Sequence, residues 1–153
     1  MSEHHAAIAW RHSAHPDNPK TYSRNHTTRL NGGQSVNLSS SVEFKGDPAC
    51  ADPEQMLVSA VASCHMLTFL AIAEFQGFKV ATYEDDAVGY LEKGTNGVMA
   101  ITRIVLSPAI TFSGERIPDE AALARLHAGA HKNCFIGNSI KAEISVLPEP
   151  VLA

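Results

Sequence analysis

The chain has 153 residues, which predicts a single domain over residues 1–153 with a sizeable core and no need of disulfides or structural metal. Hydrophobic residues at 44% and charged residues at 18% exclude an intrinsically disordered chain. A net charge of −4 gives no general footprint for nucleic acid, and eight histidines suffice to reverse its sign in mild acid.

The first ten residues carry two histidines and a glutamate where an export signal needs a basic start and an apolar run. A cytoplasmic, reducing location is therefore expected. One short strand is predicted around Ile8–His12, followed by a loop through Pro16 and Pro19. Thr21–Leu30 reads as a strand, Asn31-Gly32-Gly33 as a hairpin turn, and Ser35–Phe44 as the returning strand. Lys45–Asp52 reads as a loop.

Asp52 at the cap, Pro53 at the first position and Glu54 in the first turn predict a helix that runs to about Gln76. Its segment Met56–Phe75 is apolar and long enough to span a bilayer. Ser59, Ser63, His65, Thr68 and Glu74 interrupt it, so no membrane span is expected. The expectation is a core helix buried on nearly all sides. Lys79–Glu92 and Val98–Phe112 read as strands, joined by a turn at Thr95-Asn96-Gly97. A second helix is predicted from Glu120 to about Asn133, with Leu123, Leu126 and Ala130 on one face. Cys134–Ser139 is a short link, and Lys141–Leu147 alternates as a final strand. The order of elements predicts an α+β fold built from antiparallel meanders.

Three widely spaced cysteines, Cys50, Cys64 and Cys134, are not a disulfide framework. Cys64 lies mid-helix and has two readings: a small buried apolar side chain, or a reactive thiol. Glu54 sits ten residues earlier, almost three turns along the same helix face and roughly 15 Å away. A guanidinium reaching between them would favour the thiolate, and Arg24 or Arg29 is placed to supply it. Cys134 would act as a second thiol, whereas Cys50 reads as an exposed, incidental one. A rival constellation places His127, His131 and Cys134 on one helix face at metal-ligand spacing, with His65 as a fourth ligand.

The run Asp52-Pro53-Glu54-Gln55-Met56-Leu57, followed by Ala60 to Cys64, resembles the first motif of the OsmC/Ohr family, the osmotically inducible and organic hydroperoxide resistance proteins. Ala130 to Ser139 resembles the second cysteine motif, and the likeness extends from about Tyr22 to Val146. It implies an OsmC-like α+β fold in which antiparallel sheets wrap long central helices in an intertwined homodimer. It implies a thiol-dependent peroxidase for organic hydroperoxides, without a cofactor or metal, recycled by an external dithiol. In that likeness Cys64 is the peroxidatic cysteine, Cys134 the resolving one, Arg24 the catalytic arginine (with Arg29 as fallback) and Glu54 its anchor. Met66, Phe69 and Phe135 are expected beside the thiols. His65 after the first cysteine, and Cys-Phe-Ile-Gly-Asn-Ser in the second motif, depart from the familiar pattern and suggest a Cys-His-Met branch. The alternatives are a small-molecule-binding dimer without efficient peroxidase activity, or the His/Cys metal protein.

Overall fold

The computed structural model describes residues 1–147; positions 148–153 of the expected single domain lie outside them. The chain forms two compact units, Met1–Met56 and Leu57–Ala153.

In the first unit, β1 (Ala7–Ala9), β4 (His26–Arg29) and β5 (Ser35–Leu38) form an antiparallel sheet in the order β1-β4-β5. β2 (Ala14–His15) and β3 (Asn18–Tyr22) make a separate hairpin. Pro19 therefore lies in a strand rather than a loop. A two-stranded hairpin has only edges, where a missing backbone N–H leaves no ladder unpaired. The strand predicted over Thr21–Leu30 is broken at Ser23–Asn25, where the backbone passes from β3 to β4. Gly32 and Gly33 turn the chain with φ of 69° and 71°, a conformation that glycine adopts without a steric penalty.

The long helix α1 (Pro53–Phe75) starts in the first unit and continues into the second. Its start is a reciprocal cap. Gln55 N–H donates to Asp52 Oδ1 at 2.7 Å, and Asp52 N–H donates to Gln55 Oε1 at 3.1 Å. Gly77, at φ 79°, follows its end. Burial falls on one stripe, Val61, His65, Phe69 and Ala73, spaced every four residues. The expected all-round burial is not made: only 22% of the apolar window is covered. Composition registers how apolar a helix is, not whether its own chain supplies the cover.

The second unit holds two sheets. β6 (Lys79–Asp85) pairs antiparallel with β9 (Pro108–Ser113). β7 (Val88–Lys93), β8 (Met99–Leu106) and β10 (Glu143–Val146) lie in the order β10-β8-β7. The β10–β8 pair is parallel, so the meander expectation fails for that one strand. The two long strand predictions each split in two. At the β8–β9 break the backbone N–H of Ser107 donates to Oδ1 of Asp85, the last residue of β6, at 2.7 Å. α2 spans Glu120–Asn133 as predicted, capped by Asp119 Oδ1 accepting from Ala122 N–H at 2.7 Å.

Two apolar clusters result. Phe69 and Ala73 of α1 pack with Phe78, Leu123, Leu126 and Ala130. Val61 packs with Ile104 and Leu106. β7 approaches α1 so closely at Gly89 that a Cβ there would collide with Val58.

Candidate functional site: two cysteines and a buried histidine pair

Cys64 sits on α1 one residue before the buried stripe, so its thiol is half-buried rather than enclosed. Its carbonyl accepts the Thr68 hydroxyl at 2.8 Å. Cys134 follows the last turn of α2, where the backbone leaves helical geometry (φ −71°, ψ 110°), and is 2% exposed. The two thiols are within hydrogen-bonding reach of one another. Burial pushes the Cys134 thiol up, and its hydrogen bond to Cys64 pushes it further. Gly137 N–H, donating to Cys134 Sγ at 3.2 Å, opposes this. Burial and the neighbouring thiol thus both favour the protonated form of Cys134.

The link after α2 is fixed by its own polar side chains. Asn138 Nδ2–H donates to the Lys132 carbonyl at 3.2 Å, and the Ser139 hydroxyl to the Phe135 carbonyl at 2.7 Å. Gly137 packs closely here: a Cβ there would lie 3.1 Å from Ile144 Cδ1 and 3.3 Å from Cys134 Sγ, tighter than ordinary contact.

His65 faces α2. It is fully buried, and its Nε2 lies 3.1 Å from Nδ1 of His127 on α2. Both rings are pushed down to about 4, by burial first; for His65 the charges of His127 and then His131 add to this. Both are therefore neutral at pH 7, one nitrogen of the pair donating and the other accepting. Phe69, expected beside Cys64, packs instead against His127, with centroids 4.7 Å apart. Phe135 is largely exposed and Met66 is half-buried.

The metal alternative is not assembled. Among the described residues no group of three or more His, Cys, Asp or Glu side chains is placed to hold an ion. The helical spacing of His127, His131 and Cys134 presumes a continuous helix, but the chain leaves it at Cys134. His65 pairs with His127, and His131 is exposed.

In the first unit, Arg24 occupies the break between β3 and β4, and Arg29 ends β4, exposed. Arg24 does not meet Glu54: among the described residues no ion pair joins them within 4.0 Å. Its Nη1 donates instead to Thr21 Oγ1 at 3.2 Å and to the Tyr22 carbonyl. The guanidinium lies 4.2 Å from the Tyr22 ring centroid. Cys50, expected exposed, is half-buried, and burial and then Asp47 push its thiol up. Trp10 and Tyr22 were not legible as neighbours of Arg24. The only local signal is an indole where the apolar run Ala6–Ala9 meets Arg11-His12-Ser13.

Two small β-rich units, one long apolar helix and a cysteine on that helix facing a second after α2 define a two-cysteine α+β protein. The chain belongs to the OsmC-like family, whose family model matches residues 45–149. An OsmC-like protein of unknown function from Vibrio cholerae is 40% identical, over 96% of this chain and 99% of that one, with a TM-score of 0.88. The uncharacterized protein YmaD of Bacillus subtilis is 26% identical over 118 residues, 74% of this chain and 78% of that protein. The organic hydroperoxide resistance protein OhrB of Bacillus subtilis, 15% identical, shares the fold over 93% of this chain and 94% of its own, with a TM-score of 0.62.

Proposed function

We propose that this protein is a thiol-dependent peroxidase that reduces organic hydroperoxides through Cys64 and Cys134. Family membership, and a fold shared with proteins named for organic hydroperoxide resistance, support a peroxidase-like redox role in general terms. The observation that carries the finer reading is the half-buried Cys64 thiol within hydrogen-bonding reach of the buried Cys134.

In this reading the Cys64 thiolate attacks the outer peroxide oxygen. The O–O bond breaks, the alkoxide takes a proton and leaves as an alcohol, and Cys64 becomes a sulfenic acid. The Cys134 sulfur then displaces the hydroxyl group, giving a disulfide and water. An external dithiol reduces that disulfide by exchange and is itself oxidised. The family likeness supplies Arg24 and Glu54 as the pair that stabilises the thiolate. Because they do not pair within one chain, we place their pairing in a homodimer. Arg29, His65 and His131 have no step in this scheme.

Single-turnover stopped-flow oxidation by cumene hydroperoxide tests it, comparing wild type with Cys64→Ser and Cys134→Ser. Fast oxidation is expected in wild type and abolished in Cys64→Ser, while Cys134→Ser accumulates a sulfenic acid that dimedone traps. Equally slow oxidation of all three proteins would overturn the reading.

A further inference from the structure

His65 follows Cys64 on α1, and His127 lies seven residues before Cys134, two turns or roughly 10 Å along α2. The hydrogen bond between His65 Nε2 and His127 Nδ1, at 3.1 Å, therefore joins the helix that carries the first thiol to the helix that delivers the second. Among the described residues it is the one side-chain hydrogen bond between α1 and α2.

The rest of the contact is apolar. Phe69 and Ala73 of α1 meet Leu123, Leu126 and Ala130 of α2. The two helices come so near that a Cβ on Gly129 would lie 3.0 Å from Ile72 Cδ1. Apolar burial holds the helices together but is non-directional. The stacked imidazoles, with planes 12° apart and centroids separated by 5.5 Å, add a directional bond that fixes how α2 is set against α1. Cys134 is the residue at which the chain leaves α2, so any shift of that helix carries its sulfur relative to Cys64.

That bond needs neutral rings. One added proton puts a charge among apolar side chains, and a second sets two N–H groups face to face. Among the described residues no carboxylate forms an ion pair with either ring. On α2, His131 brings a like charge towards His65. On β6, Tyr83 packs edge to face on Phe69, and Asp85 is bonded to the Ser107 backbone. β9, which meets Phe69 through Phe112, has no titratable side chain. The thiols of Cys64 and Cys134 bond to each other.

We propose that the His65–His127 pair positions Cys134 for disulfide closure with Cys64, and that protonation of the pair in mild acid frees α2 to shift and slows that closure. The inference rests on the peroxidase reading for its biological meaning, although the approach of the two sulfurs needs no peroxide. His65 and His127 are positioning residues that act through the helices rather than on a sulfur.

The test uses the full-length protein carrying Cys50→Ser, with 2,2′-dithiodipyridine in place of a peroxide. The Cys64 thiolate attacks one sulfur of the reagent, forming a mixed disulfide and releasing one 2-thiopyridone. Cys134 then gives its proton to solvent and displaces the second 2-thiopyridone, closing the Cys64–Cys134 disulfide. Absorbance follows the second release from pH 7.5 to pH 4.5. The intact pair is compared with His65→Gln/His127→Asn, which keeps an amide donor and acceptor but takes up no proton, and with His65→Leu/His127→Leu. Thiol titration slows all three alike. Over this range closure with the intact pair should fall about tenfold further than in either double variant. At pH 7.5 the Gln/Asn variant should close as fast as the intact pair, and the Leu/Leu variant more slowly. Parallel pH profiles, full-speed closure in the Leu/Leu variant, or an acid loss that only follows global unfolding in near-UV circular dichroism would overturn the assignment. Failure of cumene hydroperoxide to oxidise Cys64 would end the peroxidase reading and leave these release rates as they are.

Discussion

His65 Nε2 and His127 Nδ1 lie 3.1 Å apart with their ring planes within 12°, joining α1 to α2 through two neutral imidazoles. Each ring is pushed down to about 4, whereas an unfolded chain takes up these protons near the ordinary histidine value of about 6.5. The unfolded state thus binds more protons between those limits. The pair's contribution is fully present above pH ~6.5 and is lost as pH falls towards 4. For the fully buried His65 alone the loss is on the order of 3 kcal/mol. Urea midpoints should therefore fall between pH 7.5 and 5 in wild type. In His65→Leu/His127→Leu that fall should be much smaller; an equal fall in both proteins would rule out this origin.

The same pair predicts an asymmetry between single and double substitutions. His127→Leu leaves the buried His65 ring without its partner, at a cost of about 1–3 kcal/mol. Replacing both rings removes the unsatisfied group, so the double variant should be more stable than the single. Thermal unfolding at pH 7.5 measures the order, and a double variant weaker than the single would contradict it.

Gly137 is the close neighbour of Cys134. An added Cβ would sit 3.3 Å from Sγ and 3.1 Å from Ile144 Cδ1, tighter than ordinary contact on both sides. Gly137→Ala should destabilise by about 1–3 kcal/mol, the usual range for overpacking. It should also move Cys134 relative to Cys64 and slow closure of the disulfide after oxidation. Quenched alkylation and mass spectrometry follow that closure. Unchanged kinetics in a measurably destabilised variant would show that the link can move without the thiol.

The sequence reveals what local chemistry controls. Asp119 and the spacing of Leu123, Leu126 and Ala130 delimit α2 at both ends, and Asp52 with Pro53 marks the start of α1. The break at Ser107 is hidden because its partner is distant: the Ser107 N–H is held by Asp85, 22 residues away in the chain. Cys64 and Cys134 meet 70 positions apart, and only the paired motifs made that encounter legible. His127 is visible as a helix-face histidine, but its partner is not, because nothing in a helical period says that His65 faces α2. The Trp10–Tyr22–Arg24 group hides behind a segment whose prolines read as a loop.

The cap of α1 offers a stability test confined to the first unit. Asp52 accepts Gln55 N–H and is answered by the Gln55 side chain. Asp52→Ala removes the accepting oxygen at the helix start and should cost about 1 kcal/mol. Asp52→Asn keeps an acceptor and should recover most of that loss in urea unfolding. Equal loss in both variants would assign the effect to charge rather than to the hydrogen bond.

The uncovered sides of α1 carry the last prediction. Leu67 is 60% exposed and Phe75 is 92% exposed, although the helix is apolar enough to meet the criterion for a membrane span. Apolar surface on this scale is costly in water, and a second copy of the chain laid along it would remove the exposure. The homodimer proposed above therefore predicts that wild type sediments as a dimer. Leu67→Glu places a charge on the uncovered side without touching the buried stripe of Val61, His65, Phe69 and Ala73. It should shift the protein to monomers while far-UV circular dichroism stays unchanged. If Arg24 and Glu54 pair only in the dimer, the same variant should lose peroxidase activity in proportion to the dimer lost. A fully active monomer would separate assembly from catalysis and remove Arg24–Glu54 pairing between chains from the mechanism.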